Sequence, residues 1–222
     1  MTPADGQMIE PSGRRIRRLH PLREVAESLL IALLLFGFLR VFVVQAFRIP
    51  SPSMEQTLLV GDYLFITKFE YGPLLPIVGG RLPGLREIAP GDVVVFERPS
   101  GPEGPEGEDG AMIDYIKRVV AVGGQTVEVR DKALLVDGVA VEEAFAQHTD
   151  AGVLTVRDNF GPVEVPPGEV FVMGDNRDNS RDSRFWGTVP VERVLGRAFL
   201  RYFSWDADRS APRWERILTI VR

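Results

Sequence analysis

Residues 28–47 read SLLIALLLFGFLRVFVVQAF, and no other feature of the chain restricts its fold as much. At a helical rise of ~1.5 Å per residue, a run of this length reaches across the ~30 Å of a hydrocarbon core. The obstacle is Arg40. At mid-membrane an Arg costs roughly 2.5–3.5 kcal/mol, while each Leu, Ile, Phe or Val contributes roughly 0.3–0.6 kcal/mol in the other direction. Fourteen of those residues lie in the run. Together they supply on the order of 4–8 kcal/mol, and Arg40, nearer the outer end, can snorkel. Insertion therefore wins. Arg14, Arg15, Arg17, Arg18 and Arg23 precede the run and only Arg48 closely follows it. The positive-inside rule then predicts a cytoplasmic basic tail at 1–24, a transmembrane helix at 25–47, and a domain at 48–222 outside the membrane. Two other readings compete. An Arg-rich start and Val44-Gln45-Ala46 imitate a cleavable secretory signal, although the run exceeds the usual ~7–15 apolar residues. A helix buried in a soluble domain is the second, but nothing around the run is amphipathic.

About 175 residues follow the run, enough for one domain with a sizeable core. Their patterns are those of strands at 63–68, 92–96, 115–122, 126–130, 133–136 and 170–173, each short, β-branched or aromatic, and bounded by Gly, Pro or Asp. Asp137-Gly138 is a hairpin signal and Pro166-Pro167-Gly168 marks a further turn. The expected fold is mostly β, an antiparallel sheet domain with a small β insertion at about 126–166. Residues 100–110, SGPEGPEGEDG, are too rich in Gly, Pro and Glu to pack and are expected to form a flexible acidic loop.

Charge and composition exclude several functions. The net charge is −5 and the basic residues crowd into the tail, so the outer domain is more acidic than the total and has no basic stripe for nucleic acid. The absence of cysteine rules out a thiol nucleophile, disulfides and Cys-ligated metal. With only His20 and His148, a His-rich metal site is not expected either, and His148 reads as a surface residue.

Chemistry is concentrated in three places. Ser53 lies in Ile49-Pro50-Ser51-Pro52-Ser53-Met54, a stiff turn just beyond the apolar run, where a hydroxyl nucleophile would work at a membrane surface. Such a hydroxyl needs a base, and His148 is the single outer-side candidate for a histidine triad. Lys117 fits better. Ile116, Val119 and Val120 surround it in sequence, and an amine drawn among such residues loses hydration, so its pKa falls and the neutral form can take a proton. The third place is 174–190, which carries Asp175, Asp178, Asp182, Arg177, Arg181 and Arg184. Acidic residues at alternate positions resemble a calcium loop, yet the interleaved arginines oppose a divalent ion. A rigid buttress is the preferred reading, with Asp182 paired to Arg184 and Ser180 hydrogen-bonded to the lysine amine.

Ile49-Pro-Ser-Pro-Ser-Met54 with Thr57-Leu58, Gly61-Asp62 through Lys68-Phe69, Tyr115-Ile-Lys-Arg-Val-Val120, and Gly174-Asp-Asn-Arg-Asp-Asn-Ser-Arg-Asp-Ser-Arg184 resemble, in order, the successive sequence boxes of bacterial type I signal peptidases. The likeness runs from about Val25 to Val194. It implies a membrane-bound serine endopeptidase that removes signal peptides from exported preproteins, cleaving after small residues at −1 and −3 without cofactor or metal. It further implies Ser53 as nucleophile, Lys117 as general base, and Ser51 with the Ser53 N–H as oxyanion hole. Ser180, Asp182 and Arg184 would orient and support the lysine. Ile49, Pro50, Met54, Leu58, Tyr115 and Ile116 would line the substrate pocket. The partners implied are signal peptides and membrane lipid. Pro52 stands where many members have Gly, Glu55-Gln56 replaces a pair often ending in Pro, and Ala121-Val-Gly-Gly-Gln125 replaces the usual Gly-Leu-Pro-Gly-Asp; residues 126–166 match no box. Two rivals share some of these features. A Ser/Lys autoprotease of the SOS-repressor type should lack a membrane span, and a non-catalytic tethered β module should lack Ser53 or Lys117.

Overall fold

The computed structural model describes residues 21–75, 80–99 and 112–222. The expected acidic loop at 100–110 and most of the basic tail lie outside the described residues. The described chain divides into two compact units between Gly37 and Phe38.

Helix α1, Pro21–Phe38, continues through a π turn, Leu39–Val43, and its large apolar side chains, such as Leu29, Leu33 and Phe36, are exposed. The apolar helical stretch Arg23–Val43 is long enough to cross a bilayer. The helix stops earlier than the expected Phe47. Strand β1, Val44–Arg48, takes the chain from there and pairs antiparallel with β2, Asp62–Thr67. Val44 loses less rotamer freedom in a strand than in a helix, and the carbonyl of Val43 just before it accepts from Lys68 N at 3.0 Å. The 21 residues left in the stretch still reach about 32 Å.

The remaining strands of the larger sheet are β3 (Val93–Pro99), β4 (Met112–Val122), β9 (Glu169–Met173), β10 (Val189–Pro190), β11 (Val194–Asp206), β12 (Ala211–Pro212) and β13 (Thr219–Ile220). Their order is β1-β2-β11-β3-β4-β9-β10, with β12 and β13 attached to β11, and every pairing is antiparallel. A second sheet comprises β5 (Thr126–Arg130), β6 (Ala133–Val136), β7 (Val139–Ala140) and β8 (Phe160–Glu164) in the order β7-β6-β5-β8, which is the small β insertion. Asp137 and Gly138 have φ of 53° and 77°, the left-handed pair that a two-residue hairpin of type I′ requires between β6 and β7.

The mostly-β expectation therefore holds, with one large omission. Strand β11, 13 residues long, bridges β2 to β3 and was not legible in the sequence. Gly196, Arg197 and Arg201 break up its apolar pattern, and bulges at 198/200 and 201/203 shift its alternation. Gly196 is required there because a Cβ would collide with the Thr67 carbonyl on β2.

The core lies on both faces of the large sheet. Val93 and Val95 of β3 join Ile49, Met54, Leu58, Leu64 and Ile66 on one side; Val94 and Phe96 join Val119, Val170, Val172 and Val194 on the other. This explains the unbroken apolar run Val93-Val94-Val95-Phe96, since each side chain buried is worth roughly 1.5–3 kcal/mol. Val120, Ala121, Phe171 and Met173 pack against Val127, Val129 and Leu134, which fixes the small sheet to β4 and β9. Strand β4 thus carries residue 117 through the middle of the packed structure.

Candidate active site

Ser53 sits on a single 3-10 turn, Pro52–Met54, and is 7% exposed. Pro52 at the first position presets the backbone, and Glu55 N donates to Pro52 O at 3.0 Å. Met54 and Leu58, both fully buried, hold the turn to the core, while Ile49 exchanges backbone hydrogen bonds with Asp62 and Gly61. A second segment closes on the turn from 174–176. Asn176 N donates to Ser53 O at 3.2 Å, and Asn176 Nδ2 donates to Pro52 O at 3.2 Å and to Glu55 Oε2 at 3.3 Å.

The Lys117 amine meets the Ser53 hydroxyl at 2.5 Å. Lys117 is 3% exposed, and burial lowers its pKa to about 8; the carboxylates of Asp182 and Asp175 oppose the shift and Arg184 adds to it. Ser51 Oγ lies 3.4 Å from Ser53 Oγ. A cavity of about 610 Å³ opens beside these groups, lined by Ser51, Ser53, Tyr115, Lys117, Ser180 and Phe185 among others. A hydroxyl, an amine that is neutral in part at mildly alkaline pH, and a neighbouring hydroxyl facing an open cavity can together attack an acyl carbon and shuttle the proton. His148 takes no part; its Nδ1 lies 3.5 Å from Asp178.

Arginines occupy the acidic residues of 174–184. Asp182, fully buried, accepts from Arg184 Nε and Nη2, each at 2.9 Å, and from Gly174 N at 3.0 Å, and so forms the expected pair with Arg184. Asp175 accepts from Arg118 Nε at 2.9 Å, from Arg118 Nη2 at 2.8 Å and from Thr57 Oγ1 at 2.5 Å. Asp178 faces Lys132 and Arg157. Arg118 follows Lys117 on β4 and Thr57 follows the Ser53 turn, so Asp175 ties the two halves of the pair together. In the sequence Asp175 stands out only as part of a charged cluster, and Thr57, Arg118, Gly174 and Asn176 carry no expected role. The spacing of Thr57 four residues after Ser53 and of Arg118 beside Lys117 was the available signal.

Two expectations require correction. Ser180 lines the cavity, but its Oγ is buried and has no hydrogen-bond partner among the described residues, so the expected bond to Lys117 is absent. Of the expected pocket residues only Tyr115 faces the cavity. Ile49, Met54 and Leu58 are sealed in the core, Ile116 packs against that core, and Pro50 is exposed. Apolar side chains on a turn this tight are drawn inward, where burial is worth more than a surface contact.

Gly174 marks the closest approach. A Cβ there would collide with Ser53 O and Ser180 Oγ. Gly174→Ala is expected to displace the Ser53 turn and lower kcat about 100-fold, the usual consequence of a ~1 Å misplacement, while costing roughly 1–3 kcal/mol of stability from overpacking. Turnover of a peptide substrate beside a denaturant midpoint measures both, and unaltered turnover would show that the approach has slack.

The family model described as signal peptidase, peptidase S26, matches residues 22–205. Signal peptidase I of Pseudomonas aeruginosa is 33% identical, covering 96% of this chain and 85% of its own. Its counterpart from Aquifex aeolicus is 32% identical over 90% of this chain and 91% of its own. Signal peptidase I of Mycobacterium tuberculosis H37Rv is 35% identical over 85% and 74%.

Proposed function

The chain belongs to the signal peptidase family, peptidase S26, and is a serine peptidase whose family removes signal peptides; from that premise we propose that Ser53 is its nucleophile and Lys117 its general base. The observation that carries this assignment is the 2.5 Å contact between the two side chains with the lysine buried. Neutral Lys117 takes the Ser53 proton as Oγ attacks the peptide carbonyl. The Ser51 hydroxyl and the Ser53 N–H stabilise the oxyanion, a device worth roughly 3–4 kcal/mol per donor. Collapse of the tetrahedral intermediate breaks the C–N bond, and Lys117 returns the proton to the departing amine. Water, deprotonated by the same lysine, then attacks the acyl-enzyme ester and restores the Ser53 hydroxyl.

The substrates are exported preproteins cleaved after small residues at −1 and −3. Asp182 and Arg184 hold the loop that faces Lys117, and the cavity beside Ser53 receives the residues around the cleaved bond. The apolar helix anchors the chain in a single pass, with the basic tail in the cytoplasm and the catalytic domain outside. Confining enzyme and leader to one bilayer raises their effective concentration.

The direct test is to incubate the purified full chain in detergent with an exported precursor and to read the new N-terminus. Retention of the leader would overturn the assignment. The pH profile provides a second check. Only the neutral amine accepts a proton, so kcat/KM should climb about tenfold per pH unit and level off near the Lys117 pKa of about 8. A profile flat from pH 6 to 9 would exclude Lys117 as the base.

A further inference from the structure

Residues 126–166 carry no functional expectation from sequence, yet their return segment reaches the site at four points. Glu143 forms a two-pronged ion pair with Arg177, Oε2 to Nη1 at 2.5 Å and Oε1 to Nη2 at 2.6 Å. Its side chain is 7% exposed and that of Arg177 2%. Gln147 makes a parallel bridge to Asn176, with Gln147 N donating to Asp175 O at 2.7 Å and Arg177 N donating to Gln147 O at 2.9 Å. The Phe145 ring lies under the Arg118 guanidinium, 3.8 Å from ring centroid to Cζ. Gln56, just past the nucleophile turn, donates to Ala144 O at 3.5 Å.

Each contact ends one step from a reacting group. Arg177 Nε donates to Gly174 O at 3.1 Å, and Gly174 is packed against the Ser53 carbonyl. Asn176, bridged to Gln147, holds Pro52 O and Ser53 O. Arg118 adjoins Lys117 on β4. The loop 174–177 therefore lies between residues 143–147 on one side and the nucleophile turn on the other, so its position depends on both. A buried guanidinium whose carboxylate is removed seeks water or another acceptor, and its loop moves with it.

We infer that Glu143 is a positioning residue for the Ser53–Lys117 pair, acting through Arg177, and that residues 143–147 are a strap fixing the 174–177 loop against the Ser53 turn. This rests on the assignment of Ser53 and Lys117 above. The strap touches neither reacting atom. It sets the distance across which the proton moves, so it bears on kcat and leaves substrate binding alone.

The test compares full-length Glu143→Gln, Arg177→Met and the double variant with wild type on one preprotein-derived peptide in detergent, with exposed Glu142→Gln as control. Expected are a fall in kcat of tenfold or more for Glu143→Gln, KM within about twofold, and a double variant no slower than the slower single one. Circular dichroism at the assay temperature gives the folded fraction, and kcat is expressed per folded molecule. Glu142→Gln should match wild type. An inactive wild type would refute the Ser53–Lys117 assignment itself. With wild type active, the inference fails if corrected kcat for Glu143→Gln stays within twofold, if the change falls on KM, if the two losses multiply, or if Glu142→Gln loses as much.

Discussion

Replacing Ser53 by Ala or Lys117 by Met should remove cleavage almost completely, with kcat falling by about 10⁴-fold or more while the fold survives. Where a nucleophile and its base act as one unit, deleting either costs nearly as much as deleting both. The Ser53→Ala, Lys117→Met double variant should thus be no slower than either single one. Met is the informative substitution because it keeps the length and apolar contacts of the lysine stem. It also exposes the cost of the amine. With a folded-state pKa of about 8 against 10.5 for the free side chain, the amine releases its proton on folding between those values. The fold is therefore destabilised below pH 8 by roughly 3 kcal/mol relative to its stability above pH 10.5. Lys117→Met should be at least as stable as wild type at pH 7, and that advantage should shrink as pH rises from about 8 to 10.5. Denaturant midpoints at pH 7 and pH 10.5, read with a single-turnover assay, test both halves. Residual turnover above a hundredth of wild type would mean that another group serves as base.

The same residues show what a sequence can reveal about such a site. Ser53 and Lys117 were picked out by a stiff turn and an amine among apolar neighbours, taken together with the charged segment and the sequence boxes, and the fold brings the two side chains into contact. The hairpin at Asp137-Gly138 was legible because left-handed backbone demands those residue types. Strand β11 was hidden because its long-range pairing with β2 and β3 tolerates Gly196, Arg197 and Arg201, whose placement depends on what lies opposite. The contacts of Asp175 were hidden likewise. Its partners lie 57 and 118 residues away in the chain, and only the fold brings a surface-looking acid into full burial. Ser180 illustrates the opposite error. It lines the same cavity as Lys117, but the direction of a hydroxyl depends on local detail that motif spacing does not encode.

Asp175→Ala should be the most damaging change outside the Ser53–Lys117 pair. It would leave Arg118, 2% exposed, without its buried carboxylate partner, holding only the oxygens of Thr57, Gly91 and Arg222 and the face of Phe145. Removing one partner of a buried ion pair costs about 3–5 kcal/mol, a large part of a typical domain's stability. Replacing both partners by apolar residues, Asp175→Leu with Arg118→Met, removes the stranded charge and should restore most of that loss. Activity should not return with it. Asp175 also receives the Thr57 hydroxyl, so the double variant loses the link between the Ser53 turn and β4, and kcat should stay about 100-fold down. The Asp175 carboxylate supports the charged form of Lys117, so without it the amine's pKa falls further and the acid limb should move below pH 8. Urea midpoints and pH–rate profiles of the single and double variants separate these effects. A stable double variant with full activity and an unmoved acid limb would reduce Asp175 to a purely structural acid.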